Sequence, residues 1–439
     1  EPGFLQAGGQ GVVHVVTRGT GHKPLARKRI PAHRRRVAEA EYAACLRLGT
    51  VPHAHVTRLM DAYVDDKGDS SLFFELGLVD VHAVLDCVPK KGTREHTFAR
   101  EWMLQVAHAL GHCHSLGVAH RDLKPENILV FPMHRPGAAA TPQGKEPLVA
   151  ALQQVAAGGA AAKAGTQTLH GYMLKLCDFG SALVAPEGHV GPIKGHSARG
   201  SAMYACPQVC ALHIGSRRPE LAQRFWTPSF LNQMSSDGYD AAAADVWSWG
   251  VTVFTLVAGH LPFRTASPDS STYRAFVLAT QPEVVDDALM APGCSEWQLT
   301  HSAMAAGSSR LAASEWSWPA AFSPALRHLL GRCLRVREGE RFTMEDIKSH
   351  PWFANPRWKP SPVAPLTLPT SPPRLAILAG GPSSSTPTTQ TTSGHPTSAA
   401  SGAGGGMWSA APSFQGAADR LAAPLSQSNT ASTASSHDQ

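Results

Sequence analysis

"AHRDLKPENILV", residues 119–130, sets a charged cluster hard against an apolar run. Asp122, Lys124 and Asn127 fall within six positions and lead straight into Ile128-Leu129-Val130. That run predicts a buried strand, beside which unpaired charge is expensive. A helical pattern, "TFAREWMLQVAHALGHCHSLG" (97–117), precedes it. Upstream, residues 4–30 read as strand, glycine-rich turn, strand, a Gly/Thr/His loop and a third strand, "PLARKRI". A helix pattern at 33–48 and two further strands, "VTRLMDAYV" and "SLFFELG", complete a small strand-rich part ahead of a larger helical one.

Length and composition bound the rest. The 439 residues could hold two or three average domains, or one large domain with appendages. An apolar fraction of 43% supports a real core. The net charge of +6 is spread along the chain apart from His33-Arg34-Arg35-Arg36, which reads as a solvated helix face, so no specific nucleic-acid binding is expected. Eight cysteines show neither CxxC pairs nor metal spacing. "GHCHSLG" (111–117) sits in the helical pattern and reads as structural. Free thiols point to an intracellular setting, cytoplasmic or nuclear. No apolar run of membrane-spanning length and no signal pattern is evident. The chain opens at Glu1 rather than Met, beside a glycine-rich turn, and is expected to be a fragment whose targeting cannot be read.

Three stretches interrupt the pattern. Residues 132–170, 211–236 and 264–318 read as surface insertions, which loop-closure entropy tolerates. From 355 to 439 the chain turns to Pro, Ser, Thr, Ala and Gly ("SSSTPTTQTTSG") and is expected to be disordered.

"HRDLKPEN" resembles the catalytic loop of eukaryotic protein kinases, and the resemblance runs from about residue 4 to residue 354. It implies an α+β, bilobal fold over 1–354. The small antiparallel lobe with one main helix would span about 1–77, and the mainly helical lobe about 78–354. An HRD triplet alone is only a capped turn, but the whole string has a physical logic. Phosphoryl transfer needs a base near an acceptor hydroxyl, cations against phosphate oxygens, and metal ligands. Asp122 would orient and deprotonate the hydroxyl, Lys124 would neutralise the moving phosphoryl group, and Asn127 would hold Mg2+.

The remaining parts follow from the same resemblance. "KLCDFGSA" (175–182) would supply Asp178 as second metal ligand, 51 residues beyond Asn127 because of the first insertion. "LQAGGQGVVHVV" (5–16) resembles the ATP-covering glycine loop, with Leu5, Gly8, Gly11 and Val13 in place. Gln6 replaces its first glycine and Gln10 the aromatic at its tip. Lys28, 15 residues after Val13, would pair the ATP phosphates, and Ala26 would pack on adenine. Its acidic partner would be Glu41, or else Glu39. "SLFFELG" resembles the hinge, with Phe74 guarding the back pocket, Glu75 and Gly77 offering backbone groups to adenine, and Asp80 reaching the ribose. Leu129 and Cys177 would line the nucleotide pocket, Cys177 as a plausible target for electrophiles.

"GSAMYACPQV" (200–209) would close the activation segment, with Ser201 for Thr and Cys206-Pro207-Gln208 for Ala-Pro-Glu. Gln208 would turn the usual buried ion pair with Arg341 into a hydrogen bond and soften the large lobe. Ser197 is either an unmodified loop serine or a phosphorylation site whose phosphate would bind Arg121, the product of an upstream kinase. Asp245 in "DVWSWG" would tie down the catalytic loop. Lys124 and Ser201 resemble the serine/threonine class, while the subfamily cues conflict. The implied function is transfer of the γ-phosphate of Mg-ATP to Ser/Thr hydroxyls of protein substrates. The alternative is a pseudokinase scaffold; a small-molecule kinase has no use for Ser201 and the activation segment.

Overall fold

A computed structural model describes residues 3–8, 11–17, 22–87, 98–133, 145–157, 159–284 and 316–353. The expected tail at 355–439 and Gln10 lie outside the described residues, as do the side chains of Leu5 and Gln6.

The small lobe is a five-stranded antiparallel sheet in the order β1-β2-β3-β5-β4. Its strands are β1 Gly3–Gly8, β2 Gly11–Val16, β3 Leu25–Ile30, β4 Leu59–Val64 and β5 Ser70–Glu75. Against it lies one helix, α1, Arg35–Gly49. Ala38, Glu41, Ala44, Cys45 and Leu48 recur on its buried side at helical spacing, so an acid sits on an otherwise apolar face. The sheet–helix core proper is small: Ile30, Ala38, Ala62 and Leu72.

The large lobe begins with β6 Val79–Asp80 and α2 Val81–Cys87. Helix α3, Arg100–Ser115, leads into β7 Val118–Ala119. Two strands, β8 Ile128–Pro132 and β9 Tyr172–Leu176, pair antiparallel, with Ile128 opposite Leu176. The run after the charged cluster is therefore a strand, with Ile128 and Val130 fully buried. Helix α9, Ala241–Ala258, runs through the middle of the lobe, started by Asp240, which accepts from the Ala242 and Ala243 amides. Gly259 at φ 80 ends it, in the left-handed region that favours glycine.

Three sequence expectations need correction here. Residues 241–258 are long and apolar enough to cross a membrane by length and composition, contrary to the expected absence of such a run. However, 83% of that window is buried in the protein's own core, as for a central helix of a folded domain. The first insertion, expected at the surface, is packed into the core over its described residues. It forms α4 Lys145–Ala157 and α5 Gly159–Leu169, with Leu148, Ala151, Leu152, Val155 and Leu169 in the main core. Alanine drives helix formation without marking an apolar stripe. Gly165 permits the close helix contact, since a Cβ there would come 2.5 Å from the Ala151 carbonyl.

The second insertion is likewise packed. Helices α6 Pro207–Arg217, α7 Pro219–Phe225 and α8 Pro228–Ser236 bury Phe225, Trp226, Phe230 and Met234. Pro219 and Pro228 each stand in the first turn of a helix, where a missing N–H costs nothing. Of the third insertion, residues 264–284 include α10, Ser271–Thr280, which buries Tyr273 and Phe276, while 285–315 lie outside the described residues.

Candidate active site

The catalytic-loop cluster hangs between β7 and β8. Asp122 is 6% exposed, and its Oδ1 accepts the Ser201 amide at 2.8 Å. Lys124 Nζ donates to Ser201 Oγ at 2.7 Å and stands 3.4 Å from Asp122 Oδ2. Asn127 Nδ2 donates to the Asp122 carbonyl at 2.7 Å, which leaves its amide oxygen as the group on offer. The charge placed beside the buried strand is thus paired inside the loop and with the substrate-side loop.

The backbone under this cluster is strained: Arg121 sits at φ 62. Asp245 on α9 holds it there. Its carboxylate, 0% exposed, accepts the His120 and Arg121 amides at 2.7 Å each and the His114 ring at 2.9 Å. Asp245 was readable as an anchor; His114 was not. In "GHCHSLG" the third hydrogen bond belongs to His114, while His112 bonds the Val51 carbonyl. No group of three metal-binding side chains occurs among the described residues.

Across the cleft, β3 pairs Lys28 with Val13 of β2 and Ala26 with Phe74 of β5. Lys28 Nζ lies 2.6 Å from Glu41 Oε2 and 2.7 Å from Asp178 Oδ1. Glu41 is thus the partner on α1, whereas Glu39 pairs with Arg35 at the surface. Burial lowers the pKa of the Lys28 ammonium, but Asp178 and Glu41 more than reverse this and hold it above its ordinary value. Burial raises the Glu41 carboxyl, against the opposing pull of Lys28. For Asp178 burial pushes upward too, but Lys28 wins and holds its pKa below the ordinary carboxylate range.

The two clusters are tied through Cys177. Its amide donates to the Asn127 carbonyl at 3.0 Å, and its carbonyl lies 2.9 Å from His120 Nε2. His120 Nδ1 accepts the Asp122 amide at 3.2 Å, so the ring carries its proton on Nε2. Phe179 meets the same ring edge-on at 5.0 Å. Burial raises the Cys177 thiol well above its ordinary pKa.

Around the nucleotide cleft, a Cβ on Gly77 would come 3.0 Å from Leu129 Cβ, so the chain passes close over Leu129 there. The Glu75 amide bonds the Arg58 carbonyl at 3.4 Å, and its carboxylate holds Lys175 at 2.6 Å. Asp80 Oδ1 caps α2 through the Ala83 amide at 2.7 Å. Gly11 has a packing role besides openness to phosphate: a Cβ there would lie 2.5 Å from the Arg29 carbonyl. Leu5 and Gly8 lie on β1, where a register shift falls between Phe4 and Gln6. Asn127 offers an amide oxygen and Asp178 a carboxylate held ionised, hard oxygen donors that suit a small divalent cation.

On the substrate side, Arg121 Nε donates to the Ser181 carbonyl at 2.8 Å and its guanidinium reaches Ser197 Oγ at 3.4 Å. A cleft beside Asp122 is lined by Arg199, Ser201, Tyr204 and Ala205. Gln208 Oε1 accepts from Arg341 at 2.7 Å, the hydrogen bond expected in place of an ion pair.

Comparison with known proteins matches residues 4–353 to the protein kinase domain family. CBL-interacting protein kinase 24 of Oryza sativa subsp. japonica is 25% identical over 303 residues, covering 69% of this chain and 44% of the relative. The SNF-related serine/threonine-protein kinase of Rattus norvegicus is 26% identical over 327 residues, covering 74% of this chain and 29% of the relative. The chain therefore spans less than half the length of these curated relatives.

Proposed function

The chain belongs to the protein kinase family, and we propose that it transfers the γ-phosphate of Mg-ATP to serine or threonine hydroxyls of protein substrates. The observation that carries this is the paired arrangement of Lys28 on Glu41 and Asp178, facing Asp122 with Lys124 and Ser201. Asp122 takes the acceptor hydroxyl's proton and aims its oxygen. Lys124, seated beside it, meets developing charge on the transferring oxygens. Lys28 holds the donor's phosphates, and Glu41 fixes where the ammonium stands. Asn127 and Asp178 would hold Mg2+, which would supply positive charge to neutralise the donor's phosphates. Val13, Ala26, Leu129 and the hinge backbone would bracket the adenine.

Ser197 beside Arg121 is a proposed site for an upstream kinase, since a phosphate would gain charge-assisted bonds there. The CBL-interacting relative raises a regulatory protein partner as a further proposal. An intracellular setting, cytoplasmic or nuclear, is proposed on the unpaired thiols of Cys45, Cys113, Cys177, Cys206, Cys210 and Cys333.

The test is transfer of labelled phosphate from Mg-ATP to a generic basic protein, comparing this chain with Asp122→Asn. Transfer lost in the variant supports the proposal. Absence of transfer from both, with ATP still bound, would overturn it in favour of a scaffold.

A further inference from the structure

The middle of the activation segment is fastened to the fold by a contact that no catalytic motif includes. Lys194–Gly195 form a short strand, β10, antiparallel to β11, Tyr239–Asp240, immediately before α9. The pairing is intimate. A Cβ on Gly195 would come 2.7 Å from Cζ of the Tyr239 ring, so the hydroxyl end of the ring packs directly on bare backbone. The ring is fully buried, and its hydroxyl donates to the Ser197 carbonyl at 3.2 Å. Gly238, at φ 69, makes the approach possible, since a Cβ there would lie 2.5 Å from the Gly195 carbonyl. Glu338 adds a second attachment, accepting the Asp240 amide at 3.0 Å and standing 3.9 Å from Lys194 Nζ.

We propose that Tyr239 is a positioning residue that latches the activation segment onto the start of α9 and so places the substrate-side loop over Asp122. Both ends of the connection are anchored. Asp240, next to Tyr239, caps α9, whose Asp245 holds the catalytic-loop amides. Three residues beyond Ser197 the segment turns at Gly200, φ 95, where a Cβ would strike the Arg121 carbonyl at 2.2 Å, and then delivers the Ser201 amide to Asp122. The tyrosine hydroxyl and the Arg121 guanidinium grip Ser197 from its two sides, carbonyl and side chain. The segment's course between Lys194 and Ser201 is thus set by the chain's own bonds, and a phosphate on Ser197 would reinforce that course rather than create it.

The proposal rests on the kinase reading for its kinetic consequence but not for its structural one, and two readouts separate them. Tyr239→Phe keeps the ring under Gly195 and removes only the hydroxyl; Gly195→Ala drives a methyl into the ring. Both are compared with the parent chain after phosphatase treatment. Loss of one neutral hydrogen bond predicts that Tyr239→Phe raises the KM for a basic protein substrate about threefold to tenfold, with the KM for ATP unchanged and the melting temperature lowered by no more than a few degrees. Trypsin cleavage at Lys194 and Arg199 should accelerate by a similar factor, and Gly195→Ala should do more of both. Unchanged protein-substrate KM and unchanged cleavage in Tyr239→Phe would overturn the latch. If the parent shows no phosphate transfer at all, the cleavage rates alone still decide it, while the kinase reading fails separately.

Discussion

Gln208 stands where the family's glutamate would make an ion pair with Arg341, so Gln208→Glu looks from sequence like a restoration. The structure predicts otherwise. Gln208 is 2% exposed and uses both ends of its amide: Oε1 accepts from Arg341 at 2.7 Å, and Nε2 donates to the Val336 carbonyl at 2.8 Å. A carboxylate would strengthen the first contact but set a second anionic oxygen against the Val336 carbonyl. Gaining a charge-assisted bond and losing a donor, each worth about 1–2 kcal/mol, leaves a net change within about 1 kcal/mol of zero. Gln208→Ala loses both contacts. Arg341 keeps the Arg335, Ala243 and Val336 carbonyls and the face of Trp247, so it is not orphaned. The expected cost is about 2–3 kcal/mol rather than the full penalty of a stranded buried charge. Thermal unfolding monitored by tryptophan fluorescence checks this: Gln208→Ala should melt several degrees lower and Gln208→Glu within about 2 °C of the parent. A Gln208→Glu melting temperature raised by as much as alanine lowers it would refute the reasoning, since the amide's donor would then be irrelevant.

Lys28→Met leaves Glu41 and Asp178 without their shared cation; phosphate transfer should fall at least about a hundredfold, and the melting temperature should fall too. A loss of transfer with unchanged melting would mean that the trio does not stabilise the lobe. Trp226→Ala, at a residue 1% exposed inside the second insertion, should cost about 3–5 kcal/mol in urea unfolding, whereas a dispensable surface loop would lose under about 0.5 kcal/mol. His55 is held neutral, its pKa lowered by burial from 6.5 to about 4, with its Nδ1 on the Leu174 carbonyl. The unfolded chain takes up this proton first, so stability should drop as pH falls below about 6.5 and level off near 4, by up to roughly 3 kcal/mol. His55→Gln should flatten that slope in pH-dependent urea melts, and an unchanged slope would assign it to other groups.

Much of the site was legible because phosphoryl-transfer chemistry fixes residue types at short spacing. Asp122, Lys124 and Asn127 needed only six consecutive positions, and Lys28 could be placed by its distance from the glycine-rich turn. Glu41 over Glu39 followed from which face of α1 carries Cys45 and Leu48. What sequence hid falls into two physical kinds. The helices of the first two insertions were hidden because alanine stripes and first-turn prolines carry packing without apolar contrast. The supports of the site were hidden because they are distant in sequence: His114 lies 131 positions from Asp245, and Tyr239 lies 42 from Ser197.

The same distance explains the two residues in the left-handed region that are not glycine. Arg121 and Asp178 both sit at φ 62, which costs a non-glycine residue of order 1 kcal/mol or more. Glycine would remove that cost, but glycine has no guanidinium for Ser181 and Ser197 and no carboxylate for Lys28. The side chains are needed where the backbone least favours them, so the strain must be offset from outside. For Arg121 the offset is Asp245, which receives its amide and that of His120 before it. For Asp178 it is the Gly180 amide on Oδ1 and the Lys28 ammonium on the same oxygen. A buried aspartate on a central apolar helix is therefore no anomaly of the core: it is the support that lets a charged loop keep its shape next to a buried strand.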